Sequence, residues 1–250
     1  MTNIETRKLF YKKQQYWFSP EPFDVQNCSA VYFYAVPNRV ELTGFSRQPS
    51  PTLLIDLRQS TDDILKNMKK SCRYEVNKAS RSNLVIARNQ NHQRFFEVYR
   101  QFVSDKGYST DMSTYWPVAE RGTLYTCSQD GALIAGLMTL EDSSTSRWLI
   151  SGSTRLSGSS RESRALSAIA NRALVWEAIL DARTRGKLWF DFGGYYDGED
   201  RAHPEYGIAS FKRSFGGEEV MQYKYSRVYS NWLLPLKKLK ARLKDKAQVS

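Results

Sequence analysis

The sequence predicts an α+β fold, a mixed and mostly antiparallel sheet flanked by helices, and three observations carry that prediction. The first is a hairpin signal, Asp130-Gly131, between two β-rich runs, since Asp-Gly suits the positive φ angles of a tight turn. The second is a long helical stretch opened by a Gly/Ser-rich loop and followed by a buried strand that stops at Gly193-Gly194. The third is the order of elements: strand, helix, strand, helix, a three-strand meander, long helix, strand, helix, strand. Helices then fall on an antiparallel sheet with one late crossover.

The elements follow in order. Val31–Val36 reads as a strand, stopped by Pro37-Asn38, within an aromatic-rich first fifty residues expected to pack on the core as an extension. Gln48-Pro-Ser-Pro51 reads as a connector and Thr52–Leu57 as a short strand. Ser60 and Asp63 have the spacing of a helix start. Ile64, Met68, Cys72, Val76 and Ala79 then recur at helical spacing, which predicts one continuous helix with one buried face. Leu84–Ala87 is a strand and Gln93–Val103 an amphipathic helix ended by Lys106-Gly107. Leu124–Ser128, Ala132–Leu140 and Arg147–Ser153 form the meander. The long helix is predicted to bury Leu166, Ile169, Ala173, Trp176 and Leu180, and Gly186 ends it. Leu188–Phe192 is a buried strand, Ile208–Phe215 a short helix and Val220–Val228 the last strand. The main domain is thus expected over residues 51–230. Its two central strands should be Ala132–Leu140 and Arg147–Ser153, splayed beside Ser151–Ser153 to open a cleft toward Asp191.

Composition narrows the function. The 250 residues are 41% hydrophobic and 13% aromatic, enough for a substantial core. No secretory signal pattern opens the chain, and Ala132–Met138 is its longest run of apolar residues and glycine, too short to span a bilayer. A cytoplasmic protein, peripheral at most on the inner face of the membrane, is expected. Three scattered cysteines and two histidines offer no metal-ligand spacing, so no metal is expected. The net charge of +11 is concentrated in residues 66–88 and 231–250, which implies an anionic partner. In residues 231–250, Trp232, Leu236, Leu239 and Leu243 share one helical face among lysines, the pattern of a basic amphipathic helix that lies on anionic membrane.

Two stretches resemble the Fem-type branch of the GNAT superfamily. One is Leu54-Ile-Asp-Leu57 followed by Met68-Lys-Lys-Ser-Cys-Arg73-Tyr74-Glu-Val-Asn-Lys78-Ala79. The other is Trp189-Phe-Asp191-Phe-Gly193-Gly194 with Gly207-Ile-Ala-Ser-Phe211-Lys212-Arg213-Ser-Phe215-Gly216-Gly217-Glu218. The resemblance covers residues 50–230, where the chain has room for a single GNAT-like unit. It implies acyl or aminoacyl transfer to an amine. The amine would belong to a small molecule, an amino acid or a lipid-linked cell-envelope precursor such as that of peptidoglycan. The donor would be acyl-CoA, an acyl carrier protein or an aminoacyl-tRNA, none held as a tightly bound cofactor.

Such chemistry needs a neutral nucleophile, a base and donors to an oxyanion. Asp191 is expected to hold or deprotonate the amine, Lys212 to neutralise the oxyanion and Tyr195 to supply a proton. Arg155, Gly158 and Ser160 occupy the place of the GNAT pyrophosphate loop and, with the backbone of Gly193 and Gly194, are expected to bind the donor. Lys70, Arg73, Tyr74, Lys78 and Arg213 are expected to bind an anionic acceptor or tRNA. The competing reading is a basic nucleic-acid- or membrane-binding module on a degenerate GNAT scaffold.

Overall fold

The computed structural model describes residues 1–8, 10–107, 115–155 and 160–229. The chain forms two compact units: residues 1–50 with 222–229 among those described, and Pro51–Met221. The segment at 231–250, including the expected amphipathic helix, lies outside the described residues.

In the first unit, β1 (Thr2–Lys8) and β2 (Tyr11–Trp17) form an antiparallel pair, and β2 lies parallel to β3 (Ala30–Val36). Beyond β3 runs the end of β10 (Glu218–Val228). Its core is aromatic. Phe33 is buried with Val31, Val36 and Tyr225, and Tyr16 stacks on Phe33 at 5.2 Å. The first two strands were hidden in the sequence because polar and charged residues crowd both of their faces, which blurs the two-residue alternation.

In the second unit the strand order is β4 (Ser46–Asp56), β9 (Trp189–Asp191), β8 (Thr145–Ser153), β7 (Ala132–Glu141), β6 (Gly122–Gln129) and β5 (Val85–Arg88). β4 begins earlier than expected: Pro49 and Pro51 lie within it, their fixed φ being compatible with extended backbone. The Asp130-Gly131 turn is as predicted, with φ of 50° and 77°. The two central meander strands, β7 and β8, lie inside the sheet.

β7 is buried from Leu133 to Leu140 because helices cover both of its faces. On one face, α3 (His92–Asp105) seats Phe95 where a side chain at Gly136 would stand. Successive strand residues point oppositely, so Ala135 and Leu137 face the other way, into the core shared with α5 (Arg161–Thr184). α5 corrects one prediction. Of the five residues expected to be buried, only Ala173 is. The fully buried stripe runs instead through Ser167, Ala170, Leu174, Ala178 and Ala182, because small side chains let the helix approach the sheet closely. Leu166 and Trp176 pack at the flank.

The predicted single helix after Ser60 is two. Ser60 accepts a hydrogen bond from the Asp63 N–H at 3.1 Å and starts α1 (Thr61–Asn67). Met68 and Lys69 are extended, and α2 (Lys70–Ala79) begins anew. The break is stabilised from both sides. The Lys69 N–H donates to the Ser214 carbonyl at 2.9 Å, and Arg73 donates to the terminal carbonyls of α1, Leu65 and Lys66, at 3.2 Å each. Ile64, Met68, Cys72, Val76 and Ala79 are nevertheless all buried, as their spacing required. Two short helices complete the unit: α4 (Tyr115–Ala119), which the sequence did not reveal, and α6 (Tyr206–Arg213).

Candidate active site

The site is made where two neighbouring strands part. β9 pairs with β8 in parallel for only three residues, ending at Arg147 opposite Asp191. From there the chain after β9 stays with β4: the Phe192 N–H donates to Leu53 and the Tyr195 N–H to Pro51. β8 runs on to Ser153, paired only with β7 among the described residues. Its open edge, α5 and α6 enclose a cleft of about 640 Å³, lined by Trp148, Ser151–Ser153 and Phe211. Four cations face it, Lys106, Arg155, Arg164 and Arg172, with one carboxylate among the described lining residues, Glu205.

Asp191 stands at the parting point and does not line this cleft. It is fully buried, ion-paired with the equally buried Arg147, and accepts from the Thr52 hydroxyl at 2.5 Å and the Gly193 N–H at 2.8 Å. Every one of these contacts is internal. The role expected from the sequence, to hold or deprotonate an amine, is therefore corrected: a carboxylate enclosed by a guanidinium, a hydroxyl and a backbone N–H has no face for substrate.

Gly193 needs the same correction, whereas Gly194 is exposed and only its carbonyl is committed. The Gly193 N–H is bonded to Asp191, its carbonyl accepts from Thr52 at 3.0 Å, and the Gly194 carbonyl accepts from Lys212 Nζ at 2.8 Å. What Gly193 supplies is conformation. Its φ is +73°, and a Cβ there would lie 2.8 Å from the Trp148 carbonyl, so glycine is required both by handedness and by space.

Lys212 is largely buried and does not itself line the cleft; its ammonium lies 5.0 Å above the ring of Trp148, which does. Tyr195 lies behind. Its hydroxyl is buried without a hydrogen bond of good geometry among the described residues. Burial first, then the neighbouring Glu219 carboxylate, push its pKa up to about 12, which disfavours it as a proton donor at neutral pH. Arg213 packs over the Tyr195 ring at 4.9 Å and pairs with Glu219 at 2.9 Å.

The expected donor loop is partly visible. Arg155 lines the cleft, Ser160 caps α5 by accepting from the Ser163 N–H at 3.1 Å, and Gly158 lies outside the described residues. The long α5 thus starts beside the arginines, with its unpaired N–H groups and positive dipole end.

The expected acceptor group divides. Lys70, Tyr74 and Lys78 are exposed on α2, whereas Arg73 is committed to the end of α1 and Arg213 to Glu219. None of the five lines the cleft. The sequence reading missed Arg164, Asn171 and Arg172, all of which do. Their spacing of seven and one puts a polar stripe on one face of the long helix, a legible signal. Arg172 also pairs with Glu75 of α2 at 2.8 Å and lies 4.9 Å over Phe211.

The strands of a mixed sheet thus splay around a cleft at the start of a long helix, an architecture shared with solved structures only at the level of fold. No family model and no curated protein matches the sequence. Among solved structures the chain is similar to FemX, with a TM-score of 0.65 at 14% identity over 94% of this chain and 85% of that one. It is similar also to the C-terminal domain of a candidate lysylphosphatidylglycerol synthetase from Agrobacterium fabrum, with a TM-score of 0.54 at 13% identity over 84% and 72% of the two chains. At such identities the likeness is one of fold. No helix among the described residues is long and apolar enough to cross a membrane.

Proposed function

We propose that the protein is a transferase that moves an acyl or aminoacyl group from an activated donor to an amine, and that the splayed cleft is where it does so. The observation that carries this reading is the composition of the cleft: an open strand edge, four cations and a single carboxylate among the described lining residues. The cations and the start of α5 suit the phosphates of the donor, whether coenzyme A, a carrier-protein phosphopantetheine or the end of an aminoacyl-tRNA. The open edge of β8 offers main-chain groups to an extended donor arm, as an unpaired strand does to a peptide.

In the transfer step the amine nitrogen attacks the donor carbonyl carbon and a C–N bond forms. The carbonyl π electrons move to oxygen, where main-chain N–H groups on the open edge of β8 stabilise the charge, and Lys212, bonded to Gly194 behind Trp148, is a positioning residue. The proton released by the attacking nitrogen passes to the Glu205 carboxylate. Collapse then expels the thiolate or ribose oxygen, which takes that proton. Asp191 is a positioning residue, holding Arg147 and the Gly193 turn that part the strands. The resemblance of the sequence to Fem-type transferases favours an amine of the cell envelope as acceptor, on a small molecule or a lipid-linked precursor.

The test supplies acetyl-CoA, an acyl carrier protein and bulk aminoacyl-tRNA in turn, with hydroxylamine as a generic acceptor, and measures hydroxamate. One donor class should be consumed. Arg155→Ala with Arg164→Ala should raise KM for that donor, and Glu205→Gln should lower kcat by about 10²-fold. If the intact protein turns over none of the three donors, the reading falls.

A further inference from the structure

We infer that the end of the cleft away from Arg155 and Arg164 is an acyl pocket, and that the transferred group carries a bulky apolar body in place of an acetyl or glycyl unit. The inference deepens the transfer reading and rests on it for the pocket's role. The cleft has two unlike ends. β8 leads to Arg155, and α5 starts near it, with Arg164 in its first turn. Trp148 lies about 15 Å back along β8 from Ser153, and Arg172 about 12 Å along α5 from Arg164. Both meet Phe211 of α6, so they mark one and the same far end.

Trp148 faces the cleft because β8 bulges. Met138 pairs with Ile150 and Thr139 with Trp148, which leaves Leu149 unpaired between them. Paired residues share a face of the sheet, so Ile150 falls with Met138 on the α3 side and Trp148 with Thr139 on the α5 side. Without the extra residue Trp148 and Ile150 would point the same way. The bulge therefore turns an indole toward the cleft.

The side chains gathered there are apolar or neutralised. Phe211 meets the Trp148 ring edge-on at 6.1 Å. Ile208 stands three residues earlier on α6, and so on the same side of the helix. It is 38% exposed, and of the exposed large hydrophobic residues described it alone lines the cleft. From α5 comes only the methyl of Ala168. The Arg172 guanidinium is paired with Glu75 at 2.8 Å and lies 4.9 Å over the Phe211 ring. Apolar surface gains from burial in proportion to its area, and a two-carbon group is too small to cover two aromatic rings and an isoleucine. A branched or aromatic aminoacyl group, or a medium-length acyl chain, covers them. Glu205 lines the cleft three residues before Ile208, so the carboxylate that takes the amine proton borders the pocket.

The pocket is tested first without catalysis. Binding of the unreactive amides N-methylacetamide, N-methylbutanamide and N-methylhexanamide to the full chain is followed by ligand-observed NMR. Affinity should rise about two- to fourfold for each added methylene. Ile208→Asn should flatten the series, and Ala168→Leu, which fills space from α5, should weaken the longest amide most. In the donor class that the hydroxamate assay shows to be consumed, hexanoyl over acetyl, or phenylalanyl over glycyl, should be favoured about tenfold or more in kcat/KM. Both variants should lower that ratio.

Affinities that do not rise with chain length, or that rise equally in both variants, overturn the acyl pocket whatever the donor assay gives. A rising series flattened by the variants, in a protein that turns over none of the donors, retains the pocket and overturns the transfer reading. Turnover no faster with the larger groups than with acetyl or glycyl overturns the inference and leaves the transfer reading standing.

Discussion

Replacing Asp191 by Asn separates an architectural carboxylate from a catalytic one. Asparagine has nearly the same shape, and its amide oxygen can still accept from the Thr52 hydroxyl and the Gly193 N–H. What is lost is the charge opposite Arg147, whose side chain is only 5% exposed. Breaking a buried ion pair by removing one partner leaves the other charge buried and uncompensated, which costs about 3–5 kcal/mol. For a chain of this length that corresponds to a fall in Tm of roughly 6–20 °C. The assay is urea unfolding followed by tryptophan fluorescence, with thermal melts alongside. Adding Arg147→Met to Asp191→Asn removes the orphaned charge, so the double variant should regain much of the loss, with an interaction energy in the double-mutant cycle above about 1 kcal/mol. Transfer at a temperature where the single variant is folded should fall by less than tenfold. An Asp191→Asn protein of wild-type stability whose transfer is reduced 10²-fold or more would refute the argument and restore Asp191 to the chemistry.

Three further outcomes follow from the same geometry. Gly193→Ala should destabilise by at least 1–2 kcal/mol, roughly the left-handed penalty alone, because its Cβ also meets the Trp148 carbonyl at 2.8 Å; thermal melts and the KM for donor should both shift. Lys212→Ala removes the bond to the Gly194 carbonyl and should lower kcat in the hydroxamate assay by less than the roughly 10²-fold of a group that contacts the reacting atoms. Lys212→Arg should not restore it, since a planar guanidinium cannot reproduce the ammonium's bond to Gly194 and its seat on Trp148. Burial alone would raise the Glu141 carboxyl, but hydrogen bonds and charge from Arg185 outweigh it and hold Glu141 below the usual carboxylate range. A lowered folded-state pKa contributes stability above the unfolded value, about 4.3, that disappears as pH falls through the folded value. Arg185→Gln should therefore be less stable than wild type at pH 7, with the gap closing below about pH 4 in urea titrations.

The legible parts of the fold were those where local chemistry and burial agree. Asp130-Gly131 dictates its turn whatever surrounds it, and β7 is apolar because α3 and α5 cover both faces. The stripe from Ile64 to Ala79 was read correctly even though the helix breaks inside it, since burial tracks the face and not the continuity of the hydrogen bonds. The break itself depends on the Ser214 carbonyl, some 145 residues away, and nothing at Met68-Lys69 announces it. The buried face of α5 was misread for a related reason. Hydrophobicity ranks Leu166 and Trp176 above Ser167 and Ala170, but close approach to a sheet selects for small side chains.

The candidate site shows the same division between motif and function. The Asp191–Gly194 stretch is a strong pattern, and the natural inference was that its aspartate acts on substrate. In the structure the Asp191 carboxylate is turned on Arg147, Thr52 and Gly193, and the Gly194 carbonyl on Lys212. Those bonds fix the point at which β9 leaves β8, since Gly193 turns at positive φ against the Trp148 carbonyl and Phe192 and Tyr195 remain with β4. Without that parting, the edge of β8 from Trp148 to Ser153 would be paired and the cleft closed. The groups that face the cleft lie elsewhere, on α5 and beside α6, where Arg164, Arg172 and Glu205 stand on surfaces that tolerate many side chains, and single-residue patterns there are faint. A sequence motif made of buried bonds therefore marks where a cleft is built, and the charged side chains that face the cleft lie outside the motif.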